Sequence, residues 1–386
     1  MSQTNFTLQA PPTAKPRKLA LLIGINAYSQ MPLRGCLTDV ALQRELLVHR
    51  FGFHPSDVLC LQDEQATRQG ILTAFEEHLI HQAKPGDVVV FHFSGHGSRV
   101  VDPDPVADWV EDGIGFNGTL VPYDRTIENS HQVRDIMGKT LFLLLSALQT
   151  EAVTMVLDCC FSGGTLRGNY QVRSLESRLG NHFAEVSAEE FAYQEQWLSR
   201  LHWTPESWRS RRNQGIAKGV AMGAARPDQL ALDVPFAGFH AGAFTYLLTR
   251  YLWQQPLSQS LDTTFAHLGL STKTLAGAHP QEPAYAVQPG SLHGKAPVYF
   301  LSPTQTAAEA IVQEAVDAEH IRFWLGGVSP QSLLSHQQGA RFTLWDAQGN
   351  GVGEVEQTGC TGLVGYGKLH TEKPAILNSN FDSRSK

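Results

Sequence analysis

Long apolar runs are missing from this 386-residue sequence: no stretch approaches the roughly 18 apolar residues that cross a bilayer, so no membrane insertion is expected. Cysteine is scarce. The five present, Cys36, Cys60, Cys159, Cys160 and Cys360, are odd in number and widely spaced. That pattern favours a reducing compartment over a disulfide framework and lacks the paired spacing of a structural zinc site. The polar, proline-bearing stretch 1–16 has no apolar core of the kind a signal peptide needs, and a cytoplasmic protein is expected. No dense basic run occurs, and the formal charge is −7. Nucleic acid is therefore not expected as a partner, whereas cationic peptides are compatible with that balance.

What is present describes an ordered α/β protein, with 42% hydrophobic and 17% charged residues and length enough for one large domain and a smaller one. Two short stretches organise it. Val88 to Ser98 reads VVVFHFSGHGS, and Val153 to Gly164 reads VTMVLDCCFSGG. Each is a β-branched, apolar strand of the kind buried on both faces of a parallel sheet, and each ends abruptly in small, polar and reactive residues. Functional groups gather beyond the carboxyl ends of such strands.

Along the chain, Lys18–Ile25 and Asp57–Leu61 read as strands, and helices are expected near 39–49, 67–81, 133–148, 237–253 and 257–268. Strand character returns at 215–221 and 296–301. Residues 102–124 read as a surface excursion, and 165–214 as a partly helical insertion or a processable linker too long for an ordinary connection. From about 302 the texture changes. A helix is expected over 307–316, then short strands at 321–325, 341–345, 353–357 and 361–365, which together suggest a small β-rich domain.

The chemistry begins with one histidine and one cysteine at neighbouring strand ends. A thiol is a useful nucleophile when deprotonated, and an imidazole can take its proton and return it to a leaving amine. Cys160 is better placed than Cys159, directly before a glycine-bearing turn that can expose backbone N–H groups. His96 lies between two glycines, so main chain can approach closely on either side. His92, on the strand itself, is expected to be structural. Neither stretch fits a phosphate-binding loop or a dinucleotide fingerprint. A loop histidine beside a buried cysteine pair, and weak metal ligation by His92, His96 and Cys160, are the competing readings.

FSGHGS at 93–98 and DCCFSG at 158–163, with LRGCLTD at 33–39, LVPYD at 120–124, GVAMGAA at 219–225 and GAFTY at 242–246, resemble the metacaspase and orthocaspase branch of the caspase-like cysteine peptidases. The resemblance spans about 17–301. It implies a caspase-like sandwich with a mostly parallel sheet flanked by helices, divided into a large-subunit-like part at 17–164 and a small-subunit-like part at 215–301, with the β-rich domain at 302–386 left over. It further implies Cys160 as nucleophile, His96 as general acid and base, and the backbone N–H groups of Gly97 and Cys160 as oxyanion donors. The S1 pocket maps onto Cys36, Asp39, Ser94 and Asp158, whose carboxylates suit an arginine, then a lysine, at P1.

The expected activity is therefore a thiol endopeptidase acting on exposed Arg or Lys in peptides and proteins. Self-cleavage is expected within 165–214, at Arg167, Arg173, Arg178, Arg200, Arg209, Arg211 or Arg212, and the protein is expected to be a monomer. Many members of this branch use calcium. Here Arg167 and Gly138-Lys139 stand where acids would be, so no cofactor or metal is expected, and Asp102, Asp104, Asp108, Glu111 and Asp112 read as surface charge. An idle scaffold, or a hydrolase or ligase acting on another amide, is the alternative.

Overall fold

The computed structural model describes residues 16–105, 110–161, 171–226, 228–236, 238–255, 257–277, 279–304, 307–335, 339–346 and 349–370. Six strands form the central sheet, in the order Ala284–Val287, Val220–Gly223, Ala152–Asp158, Val88–Ser94, Lys18–Gly24, Val58–Gln62. The first of these runs antiparallel to its neighbour. All the others are parallel.

Side chains alternate across the strands and so feed two cores. Ala20, Leu22, Val90 and Val156 pack with helices Cys36–His49, Ala243–Gln254 and Leu261–Ala276. Leu19, Leu21, Ile23, Val89 and Phe91 pack with helices Arg68–Ala74 and Gly138–Ala147 on the opposite face. Both faces are covered, which is why the strands read as unbroken apolar runs.

Several expected boundaries move. The helix expected over 67–81 is α-helical only to Ala74 and continues as a π-helical turn, Phe75–Ile80. Residues 102–124 are not a mere excursion, because Ile114–Leu120 pairs with Gly97–Val101 and buries Phe116 and Leu120. The chain at 296–301 makes 3-10 turns, and the helix expected over 307–316 is instead the strand Ile311–Ala315. That strand opens an antiparallel five-stranded sheet with His320–Trp324, Val364–His370, Gly351–Thr361 and Arg341–Trp345. Sheet pairing supplies partners that local helix propensity cannot anticipate. Trp324 and Leu325 join the core that holds Phe244 and Trp253, and Gln254 Nε2 donates to Gly327 O at 2.8 Å.

Between 171 and 214 the chain is ordered. It carries helices Ala188–Arg200 and Pro205–Arg212, whose Trp197 and Trp208 enter the second core. Among the described residues no helix is long and apolar enough to cross a membrane.

Candidate active site

Ser94 and Asp158 end adjacent parallel strands in register, so the next two residues of each strand deliver His96 and Cys160 to the same edge of the sheet. Both are buried, His96 at 0% and Cys160 at 2% exposure. Three contacts orient the histidine. Its backbone N–H donates to Tyr28 Oη at 3.0 Å, the Tyr28 hydroxyl donates to Val121 O at 2.9 Å, and the two rings lie 4.6 Å apart. Nε2 lies 2.7 Å from Met31 O. A carbonyl only accepts, so Nε2 carries the proton and Nδ1 holds the lone pair. Nδ1 is buried without a hydrogen-bond partner among the described residues.

A later stretch of the chain lies across this edge. Arg173 O accepts hydrogen bonds from the backbone N–H groups of Gly97 and Cys160, both at 3.1 Å, the two expected to face an oxyanion. Its own N–H donates to Ala231 O at 3.0 Å, and Gln171 and Val172 pair antiparallel with Asp233 and Leu232. Beyond it Ser174 bridges to Gly97, and Leu175 N donates to Gly97 O at 2.9 Å. The segment is thus an extended strand held on both sides of the Arg173–Ser174 peptide bond.

The Arg173 guanidinium is fully buried among carboxylates. Nη1 lies 2.7 Å from Asp39 Oδ2 and 3.1 Å from Asp158 Oδ1, and it donates to Ser94 Oγ at 2.8 Å. Nη2 reaches Asp233 Oδ1 at 3.3 Å. Three of the four residues expected in the S1 pocket therefore meet one arginine. Cys36 is buried beside them, its thiol pushed up by burial while the Arg173 charge pulls the other way.

Asp233 is a residue that the sequence reading missed. Its other oxygen accepts from the backbone N–H groups of Arg34 at 2.7 Å and Gly35 at 3.2 Å, which ties the loop before the first helix to this pocket. A lone carboxylate inside the apolar run 230–234 was its signal in the sequence. Met31, with φ of 54°, was not legible either, because it contributes only a carbonyl.

Electrostatics follow from the burial. Burial pushes the Cys160 thiol up to about 12 and His96 down to about 4; the Met31 hydrogen bond opposes the latter shift, and the Arg173 and Arg125 charges add to it. With the segment in place both groups are neutral. Burial also raises Asp39 to about 7 against the pull of Arg173.

The remaining arginines of 165–214 lie elsewhere. Arg178 covers the Phe183 ring, Arg200 pairs with Glu76, Arg209 and Arg212 pair with Asp104, and Arg211 covers Trp203. Arg167 falls outside the described residues. His92 is fully buried beneath the pocket, as its place on the strand implied, and burial lowers it to about 3.

Calcium fits poorly among the groups present. Lys139 Nζ sits 2.5 Å from Asp102 Oδ1 and donates to Asp104 O at 2.9 Å, while Asp135 is held by Arg125 and Thr119. Fixed cations already neutralise these acids, and a hard cation wants six or more oxygens. Asp108 and the Glu111 side chain fall outside the described residues, where no cluster of three or more candidate ligands occurs.

Known proteins share part of this chain. A family model described as metacaspase, peptidase C14 domain, matches residues 18–168, a range that holds His96 and Cys160 and stops short of Arg173. Metacaspase-7 of Arabidopsis thaliana is 35% identical over 183 residues, covering 46% of this chain and 42% of that protein. Metacaspase-1 of Schizosaccharomyces pombe is 33% identical over 172 residues, covering 42% and 37%. The chain thus matches about two fifths of the length of these relatives. Caspase-1 from Spodoptera frugiperda superposes with a TM-score of 0.40 at 11% identity, over 75% of this chain and 95% of that one.

Proposed function

We propose that the chain is an Arg-directed cysteine endopeptidase of the metacaspase kind that cuts itself between Arg173 and Ser174, a reading supported by the match of residues 18–168 to the metacaspase, peptidase C14 domain. One observation carries the reading. Among the described arginines of the insertion, the one seated among Asp39, Asp158 and Asp233, Arg173, also has its carbonyl oxygen on the N–H groups of Gly97 and Cys160.

In this reading Cys160 Sγ attacks the carbonyl carbon of Arg173 as its proton passes to His96 Nδ1. The two N–H groups hold the oxygen as it becomes an anion, aimed in advance and shielded from water. Collapse breaks the C–N bond, and His96 returns the proton to the Ser174 nitrogen, leaving a thioester on Cys160. A water then gives its proton to His96 and adds to the thioester. Loss of the thiolate, which recovers that proton, frees Arg173 as a new carboxyl terminus. Met31 O keeps Nδ1 the basic nitrogen through both halves.

Substrates from outside follow the same chemistry. The pocket would take Arg, then Lys, and reject Asp, whose charge would face three carboxylates. While Arg173 is seated that pocket is full, so the first cut is in cis and precedes any other. Intact masses of the wild-type chain and Cys160→Ala test this. Two fragments ending and starting at 173 and 174 in the wild type only are expected, and identical fragmentation of both would refute it.

A further inference from the structure

The residues that follow the scissile bond are held as specifically as Arg173 is. Leu175 lies two positions beyond it, anchored by its N–H on Gly97 O at 2.9 Å and by its carbonyl, which accepts from Ser98 Oγ at 3.4 Å. Its side chain is 7% exposed and packs in the core that includes Tyr28, Leu33 and Val121. Beside it opens a cavity of about 180 Å³, walled by Leu175 itself, by Tyr28, Val121, Tyr123 and Ile127, and on its polar side by Ser29, Gln30 and Arg125. Four of those seven neighbours are aromatic or aliphatic. Arg125 lies 3.0 Å from Asp135 and puts a fixed positive charge on one wall.

We propose that this cavity is a P2′ subsite, which selects substrates carrying an apolar residue, leucine or larger, two positions after the cut. The inference rests on the Arg173–Ser174 bond being the one cleaved. Its physical content is separate: the apolar walls reward burial of a hydrocarbon side chain, the remaining volume admits an aromatic one, and Arg125 opposes lysine or arginine. Glycine leaves the apolar walls unpaired.

Specificity in the self-cutting reaction then has two anchors on opposite sides of the bond. The insertion offers Arg at P1 and Leu at P2′ together only at 173–175, since the residues two after Arg167, Arg178, Arg200, Arg209, Arg211 and Arg212 are Asn169, Gly180, His202, Arg211, Asn213 and Gln214.

The test uses the full chain after self-cleavage and two substrate types with the same residues up to P1 Arg. One carries a coumarin amide in place of all primed residues. The other is an internally quenched series, Arg-Ser-X, with X as Leu, Phe, Gly or Lys. Expected are coumarin release and a kcat/KM for Leu and Phe about tenfold or more above that for Gly and Lys. Ile127→Glu, on the exposed rim, is expected to cut the Leu-to-Gly ratio to about threefold. Coumarin release with equal rates across X overturns the subsite and leaves the peptidase reading intact. Failure of every substrate, with wild type and Cys160→Ala alike, overturns the peptidase reading and the subsite with it.

Discussion

The carbonyl oxygen of Arg173 lies 3.1 Å from the backbone nitrogen of Cys160, thirteen positions earlier in the chain. A residue that packs merely for stability has no reason to point its carbonyl at that nitrogen and at Gly97 N together. Replacing Arg173 by Ala, or by Asp, is expected to leave the chain intact over hours where the wild type is cut, read by gel and mass. Arg173→Lys should be cut more slowly. Lysine keeps the charge but loses the fork that lets Nη1 and Nη2 reach different carboxylates.

Asp233 distinguishes a pocket of three carboxylates from one of two. Asp233→Asn keeps an oxygen for the Arg34 and Gly35 N–H groups and removes the charge facing Arg173 Nη2. Loss of one charge-assisted hydrogen bond costs about 1.5–3 kcal/mol. On peptides with P1 Arg, KM should rise about tenfold or more, with kcat changed far less, because the contact is made equally before and during the reaction.

Gly242 keeps space for the guanidinium. A Cβ there would lie 2.2 Å from Asp158 Oδ2 and 2.5 Å from Arg173 Nη1, both side chains that have nowhere to retreat in a buried cluster. Gly242→Ala is expected to retain the circular dichroism of the wild type and to lose about a hundredfold in kcat/KM on Arg peptides. Equal activity of the variant would mean that the pocket is not where P1 binds.

Acid should act on the two halves of the site at different pH. His96 is a base only when neutral, and burial lowers it from 6.5 to about 4, so the rate of cis cleavage should hold as pH falls and drop only on approach to 4. Asp39 is shifted upward, to about 7, so it gains a proton as pH falls through that value and its grip on P1 Arg weakens. For peptides added in trans, KM should therefore climb below pH 7. A single-turnover cis rate and a trans KM, both measured from pH 4 to 9, separate the two. Asp39→Asn should flatten the KM profile.

Much of this site was legible because two strands announce it. Continuous apolar runs ending in GHG and CCFSGG place His96 and Cys160 at one sheet edge whatever the loops do. What was not legible depends on partners far apart in sequence. Arg173 was one of seven equivalent arginines until the fold brought Asp39 and Asp233 to it from positions 134 residues before and 60 after. The strand Ile311–Ala315 reads locally as a helix because its partner, His320–Trp324, is what makes it a strand.

Cutting at Arg173 should not release the insertion, because its anchor lies downstream of the cut. Glu190, on helix Ala188–Arg200, is fully buried; it pairs with Arg68 at 2.6 Å and accepts from Met137 N at 2.8 Å and from the Thr140 hydroxyl. Arg68 is itself 2% exposed and without Glu190 keeps, among the described residues, only Glu189, at 3.0 Å, so removing Glu190 costs up to about 3–5 kcal/mol. The two fragments of the wild type are therefore expected to elute together in size-exclusion chromatography without denaturant. Glu190→Ala should lower the unfolding midpoint by several degrees, yet leave the position of the cut unchanged, since no atom of Glu190 touches Arg173 or its carboxylates. A shift of the cut site in that variant would mean that the seating of Arg173 depends on the insertion's docking rather than on the pocket.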